Sequence, residues 1–166
     1  TLMPTVMYVA SDDNYAEGYN RVKERHGDWV NFIPESNAAE HFYEFLDKAN
    51  DVVGLFTDDA IFYREASFDE IVIRDILNIS DIWSFNLRIG KNITVVDYVR
   101  NQPCPQPNFE KFCFNNILLW KYNFIDKFAS YFAFPTSFDG CFYNSNDLLN
   151  LANRENFGEM IKWEHM

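Results

Sequence analysis

Val52-Val53-Gly54-Leu55-Phe56-Thr57 is an unbroken apolar run that ends in two adjacent carboxylates, Asp58 and Asp59. A short run with no charged position predicts a strand covered on both faces, of the kind that fills the middle of a parallel sheet. The preceding chain fits that frame. Residues 5–10 read as a first strand, followed by a helix with Tyr15, Tyr19 and Val22 on one face and a stop at Gly27. Residues 30–33 form a second short strand closed by Pro34. Asn37 with Glu40 is a capping pair for a helix that carries Ala39, Phe42, Leu46 and Ala49 on one stripe. Strand-helix-strand-helix-strand predicts a layered α/β sheet with right-handed crossovers.

The second half is less regular. Ser67 is a candidate cap for a helix over residues 68–77, and residues 83–88 read as a strand that stops near Gly90. Pro103, Pro105 and Pro107 make residues 101–108 a surface loop. A last helix is expected from Ser145 or Asn146 through Leu148, Leu149 and Leu151. No repeat or linker interrupts the chain, so a single domain over residues 1–166 is expected. Thr1 is not an initiator residue, and the chain is therefore expected to be part of a longer protein.

Composition narrows the partners. With 48% hydrophobic and 18% aromatic residues the chain can bury a core and is not a disordered segment. A net charge of −11 argues against a nucleic-acid backbone and against anionic lipid as partners. A diphosphate remains compatible if a divalent cation brings the positive charge locally. Cys104, Cys113 and Cys141 lack CxxC spacing, which fits reduced thiols and not a zinc site. The sequons at Asn78 and Asn92 are short matches of little weight. No apolar run is long enough to span a bilayer and no secretory signal pattern is present, so the expected location is the cytoplasm.

The strongest local signal is Asp58-Asp59. In open α/β sheets ligands bind beyond the carboxyl ends of the strands. Two like charges there repel each other, and a hard divalent cation bridging them to phosphate oxygens relieves that repulsion. The competing reading is a turn in which both side chains bond local amides.

The stretch Val53-Gly54-Leu55-Phe56-Thr57-Asp58-Asp59-Ala60-Ile61-Phe62-Tyr63-Arg64 resembles the signature of GT-A glycosyltransferases, a hydrophobic strand ending in a DxD-like acidic motif. It is most similar to a subgroup from bacteria and large DNA viruses whose motif continues into an Ile-Phe-Tyr-Arg-like segment. Two further stretches follow in the order of that subgroup. Phe85-Asn86-Leu87-Arg88-Ile89-Gly90 resembles its Phe-Ser-Leu-Arg-Leu-Gly pattern. Phe134-Pro135-Thr136-Ser137-Phe138-Asp139-Gly140 resembles its Tyr-Pro-Phe-Ser-Leu-Asp-Gly pattern.

The resemblance implies a GT-A (Rossmann-like) mixed sheet flanked by helices. It also implies transfer of a sugar, with inversion, from a nucleoside-diphosphate donor such as a UDP-sugar to a hydroxyl of a glycan or other acceptor. Asp58 and Asp59 would hold Mn²⁺ or Mg²⁺ against the donor's phosphates. Ala60 stands where the family often has a third carboxylate, which leaves open which aspartate binds metal and which binds ribose; Asp59 is the favoured metal ligand. Viral relatives extend the expected location to the cytoplasm of an infected host cell. A GT-A domain opens with a strand and loop that hold the nucleoside, and this chain starts at what corresponds to the second strand. Either the first strand is absent or the sheet is rearranged.

The remaining candidates each carry a structural alternative. Ser11 and Asp12, with Asp13, end the first strand, where this fold contacts base or ribose; a helix N-cap by one of the three is the alternative, and both roles are compatible on different residues. Arg88 is a candidate for the diphosphate or an acceptor hydroxyl, with a surface ion pair as alternative. Trp120 is a candidate to stack on a sugar, with core packing as alternative. Asp139 is the candidate general base, taking the acceptor hydroxyl's proton while Gly140 permits tight backbone beside it; a turn aspartate is the alternative. His26, His41 and His165 are peripheral. Two other classes stay in view: a non-catalytic carbohydrate-binding module, and a metal-dependent nucleotidyltransferase or phosphohydrolase.

Overall fold

The computed structural model describes residues 4–10, 12–57, 69–97, 101–112, 117–121, 131–133 and 136–155. Contacts group the chain into two compact units, Thr1–Phe45 and Leu46–Met166.

In the first unit, β1 (Thr5–Tyr8) pairs in parallel with β2 (Asn31–Pro34), with Thr5 opposite Asn31 and Tyr8 opposite Pro34. The connection is α1 (Asp13–His26). Its start follows from Asp12, whose Oδ1 accepts from the amides of Asn14 (2.9 Å) and Tyr15 (3.1 Å). Asp13 in the first turn and Lys23, Arg25 and His26 in the last suit the helix dipole. Tyr19 packs on Tyr8 with ring centroids 4.3 Å apart, and Lys23 Nζ donates to the Tyr8 hydroxyl. The rest of the expected apolar face stays open: Tyr15 is 60% and Val22 44% exposed. A two-stranded sheet is too narrow to cover a whole helical stripe.

α2 (Ala38–Lys48) begins at the expected cap. Asn37 Oδ1 accepts from the Glu40 amide (3.3 Å), and its Nδ2 donates to Glu40 Oε2 (3.0 Å). The closing bond therefore runs between side chains, not back to the cap's own amide. Phe42 and Leu46, from the predicted stripe, are buried.

The second unit is built on three strands: β3 (Val52–Leu55), β4 (Ser84–Asn86) and a strand near the end of the chain. Between β3 and β4 lies α3 (Glu70–Leu77), capped by Asp69 Oδ1 on the Ile71 amide at 3.0 Å. The expected cap, Ser67, lies outside the described residues. Two small antiparallel pairs follow, β5 (Val95–Asp97) with β6 (Gln102–Pro103), and β7 (Glu110–Lys111) with β8 (Leu118–Leu119). The expected loop at 101–108 thus contains a short edge strand, where proline is tolerated. A 3₁₀ turn covers Tyr131–Ala133, and β9 (Cys141–Asn144) leads directly into α4 (Ser145–Glu155). Asn144 Oδ1 accepts from the amides of Asn146 (3.0 Å) and Asp147 (3.3 Å), closing the junction.

The sheet order is β3-β9-β4, with β9 antiparallel to both neighbours. This corrects the expectation that β3 continues a parallel sheet from β1 and β2. An apolar run reports coverage on both faces, not the direction of its neighbours. The architecture is mixed α/β in several small sheets, and among the described residues none of them is a Rossmann-like core.

Gly54 sits opposite Phe142. A Cβ there would lie 2.7 Å from the Phe142 ring, so glycine is what lets that ring cross the strand. Phe142 joins Val52, Val72, Ile82 and Leu87 around a buried cluster of Ile73, Ile76, Leu77 and Phe85, which fixes α3 to the sheet. Leu148 and Ala152 of α4 are fully buried. No described helix is long and apolar enough to cross a membrane.

Candidate functional site

Antiparallel pairing on both sides of β9 brings the C-terminal ends of β3 and β4 to its N-terminal end. Gly140 ties them together: its amide donates to Leu55 O and its carbonyl accepts from the Leu87 amide, each at 2.9 Å. Gly140 has φ 72°, a left-handed conformation that costs a side-chain-bearing residue. The described parts of the three family-like stretches therefore meet at one end of the sheet. From Leu55, Phe56 and Thr57 lead straight into Asp58-Asp59. Asp58, Asp59 and Ser11 themselves lie outside the described residues.

Arg88 lies two residues beyond β4, in a turn and not in the strand itself. Asn86 makes that turn. Its Oδ1 accepts from the amides of Arg88 (2.7 Å) and Ile89 (2.9 Å), while its Nδ2 donates to Cys141 Sγ (2.7 Å) across the sheet. The Arg88 side chain then reaches Asp139, with Nη1 2.5 Å from Oδ2. The guanidinium also stands 5.7 Å from the centroid of the Tyr131 ring, and the Tyr131 hydroxyl donates to Val96 O at 2.9 Å. Both members of the pair keep solvent access, at 40% for Arg88 and 28% for Asp139.

Asp139 is held from behind. Its amide donates to Ser137 Oγ (3.2 Å). The Tyr143 hydroxyl, on a fully buried ring of β9, accepts from the Ser137 amide (2.7 Å) and donates to the Ser137 carbonyl (2.8 Å). Burial pushes the Tyr143 phenol well above its ordinary range, with the neighbouring Cys141 adding to the rise. Burial likewise raises the Cys141 thiol, against the lowering effect of its Tyr143 hydrogen bond and of the Arg88 charge. Both groups are neutral donors near pH 7.

Trp120 is half-buried in an aromatic cluster. Its Nε1 donates to Phe132 O (3.2 Å), and its ring packs edge-on against Phe109 and Phe132 at 6.0 and 5.6 Å. Lys91 Nζ lies 5.7 Å from the Phe109 ring centroid. Asp12 is the cap of α1. The structure thus joins Arg88 and Asp139 directly, and gives Trp120 and Asp12 structural bonds.

Sequence reading passed over Asn86, Ser137, Tyr143 and Tyr131. Asn86 and Ser137 stand inside the quoted motifs, where Asn before Leu-Arg is a turn signal and Ser two residues before Asp a local acceptor. Tyr143 alternates with Phe142 in β9, and a buried tyrosine needs a partner for its hydroxyl. Nothing in the aromatic-rich surroundings of Tyr131 singles it out.

Among the described residues no group of three or more His, Cys, Asp or Glu side chains could hold a metal ion. Asp58 and Asp59, the carboxylates expected to hold an ion, are outside the described residues. No family model, curated protein or solved structure matches the chain.

Proposed function

We propose that this chain is a metal-dependent glycosyltransferase of the GT-A type, acting in the cytoplasm on a nucleoside-diphosphate sugar, with UDP as the favoured nucleotide. One observation carries the reading. The described parts of segments distant in sequence, each similar to a motif of that family, meet where the C-terminal ends of β3 and β4 flank the start of β9, and Arg88 reaches Asp139 there.

In this reading Asp139 is the general base. Its carboxylate takes the proton of the acceptor hydroxyl as that oxygen attacks the anomeric carbon, and the bond from that carbon to the phosphate oxygen breaks with inversion. Asp59, with Asp58, would hold a Mn²⁺ or Mg²⁺ ion, which would supply Lewis acidity to the departing nucleoside diphosphate. Arg88 has two possible anionic partners, the Asp139 carboxylate beside it and the donor's phosphates. Exchange from the first to the second frees Asp139 as the donor enters. The Tyr131 ring and the Asn86 turn hold the guanidinium beside Asp139.

Calorimetry with UDP in the presence and absence of Mn²⁺ tests the reading. Metal-dependent binding of UDP is expected. Binding to glycan alone, with no response to UDP and metal, would replace it with the binding module.

A further inference from the structure

We infer that Tyr143 is a positioning residue for Asp139. The inference rests on the glycosyltransferase reading and assigns a role to a side chain that touches no substrate.

The argument begins with satisfaction of buried polar groups. Tyr143 is fully buried at the centre of the three-stranded sheet, opposite Val53 on one side and Ser84 on the other. A hydroxyl there must find partners inside the protein. It finds both on one residue: the amide and the carbonyl of Ser137, at 2.7 and 2.8 Å. A single phenol oxygen thereby fixes both backbone polar groups of Ser137. The Ser137 hydroxyl, so placed, accepts from the Asp139 amide. The chain from sheet centre to carboxylate is thus Tyr143 hydroxyl, Ser137 backbone, Ser137 hydroxyl, Asp139 backbone. Beyond Asp139, Gly140 is locked to Leu55 and Leu87. Between those two anchors the loop leaves Asp139 little freedom, and its carboxylate meets Arg88.

A packing role alone would not require the hydroxyl, because phenylalanine would fill the same volume. Tyr143 meets Trp83 edge-on at 5.9 Å, and that contact is independent of the oxygen. The two roles are therefore separable by substitution. Tyr143→Phe removes the clamp and keeps the ring. Trp83→Phe disturbs the packing on the same ring and keeps the clamp.

The test measures UDP release from a UDP-sugar with Mn²⁺, UDP affinity by calorimetry, and amide hydrogen exchange at Asp139 and Gly140, in wild type and both variants. Tyr143→Phe should lower kcat by about 10- to 100-fold, as expected when a reacting group is displaced by an ångström or less, with donor KM and UDP affinity little changed. Trp83→Phe should leave kcat near wild type even where it lowers thermal stability as much. Exchange at Asp139 and Gly140 should accelerate in Tyr143→Phe and not in Trp83→Phe. Wild-type kcat in Tyr143→Phe, or an equal loss in both variants, would overturn the inference while leaving the glycosyltransferase reading intact. If wild type itself releases no UDP, the glycosyltransferase reading fails and the positioning role falls with it; where wild type does release UDP, equal exchange rates in the two variants overturn the positioning role alone.

Discussion

Arg88 and Asp139 stand 51 residues apart in the chain and meet as an ion pair, with Nη1 2.5 Å from Oδ2. The pair forms because β9 runs antiparallel between β3 and β4, so that the turn after β4 faces the turn before β9.

Solvent reaches both side chains, so the pair adds only about 0–1 kcal/mol to stability. Asp139→Asn and Arg88→Ala should accordingly unfold within a few degrees of wild type. Their activities should differ in kind. Loss of the base in Asp139→Asn should lower kcat for UDP release by about 100-fold or more with UDP affinity retained. Loss of a charged donor in Arg88→Ala should weaken UDP binding by about tenfold. Calorimetry beside steady-state kinetics separates the two.

Stability should decline in alkali. Cys141 and Tyr143 have folded pKa values raised above their ordinary 9.0 and 10.0, chiefly by burial. The folded protein thus holds these protons more tightly than the unfolded chain. The resulting stabilisation is complete below the unfolded values and is lost as pH rises through the folded ones. Denaturation midpoints should fall from about pH 9 upward, and Cys141→Ala should flatten the early part of that fall.

Gly54 tests the packing beneath the site. In Gly54→Ala the new methyl meets the Phe142 ring at 2.7 and 3.0 Å, and Phe56 at 3.2 Å. A loss of about 1–3 kcal/mol in chemical denaturation is expected. Phe142→Leu, which shortens the obstructing ring, should recover part of it in the double variant, and additive losses would refute the close contact.

Asp12→Ala should cost about 1 kcal/mol, because two amides of α1 lose their acceptor. Asp12→Ser keeps a capping oxygen and should restore most of that stability. A fall in UDP affinity in Asp12→Ser at restored stability would identify a nucleotide contact made by the carboxylate beyond its cap.

These elements also mark the reach of sequence reading. The Asn37–Glu40 cap and the Phe42/Leu46 stripe were legible because each depends on neighbours within one or two helical turns. The partner of β3 was not. Its apolar run is compatible with either strand direction, and the strand that pairs with it lies near the other end of the chain. Arg88 and Asp139 were both legible as single candidates from their motifs, but their meeting depends on the register of β9. The same register puts the Tyr143 hydroxyl on Ser137, a contact that no local pattern announces. Asp69 caps α3 although no capping role was read for it, because its carboxylate shows its use only once the backbone places it before the first turn.

The account turns on the carboxylates that follow β3. UDP release from a UDP-sugar, measured with and without Mn²⁺ in wild type beside Asp59→Ala, tests it most directly. The expected result is release that requires the metal and is abolished in a folded Asp59→Ala variant. Release that ignores the metal, survives Asp59→Ala, or yields inorganic phosphate in place of UDP would contradict it.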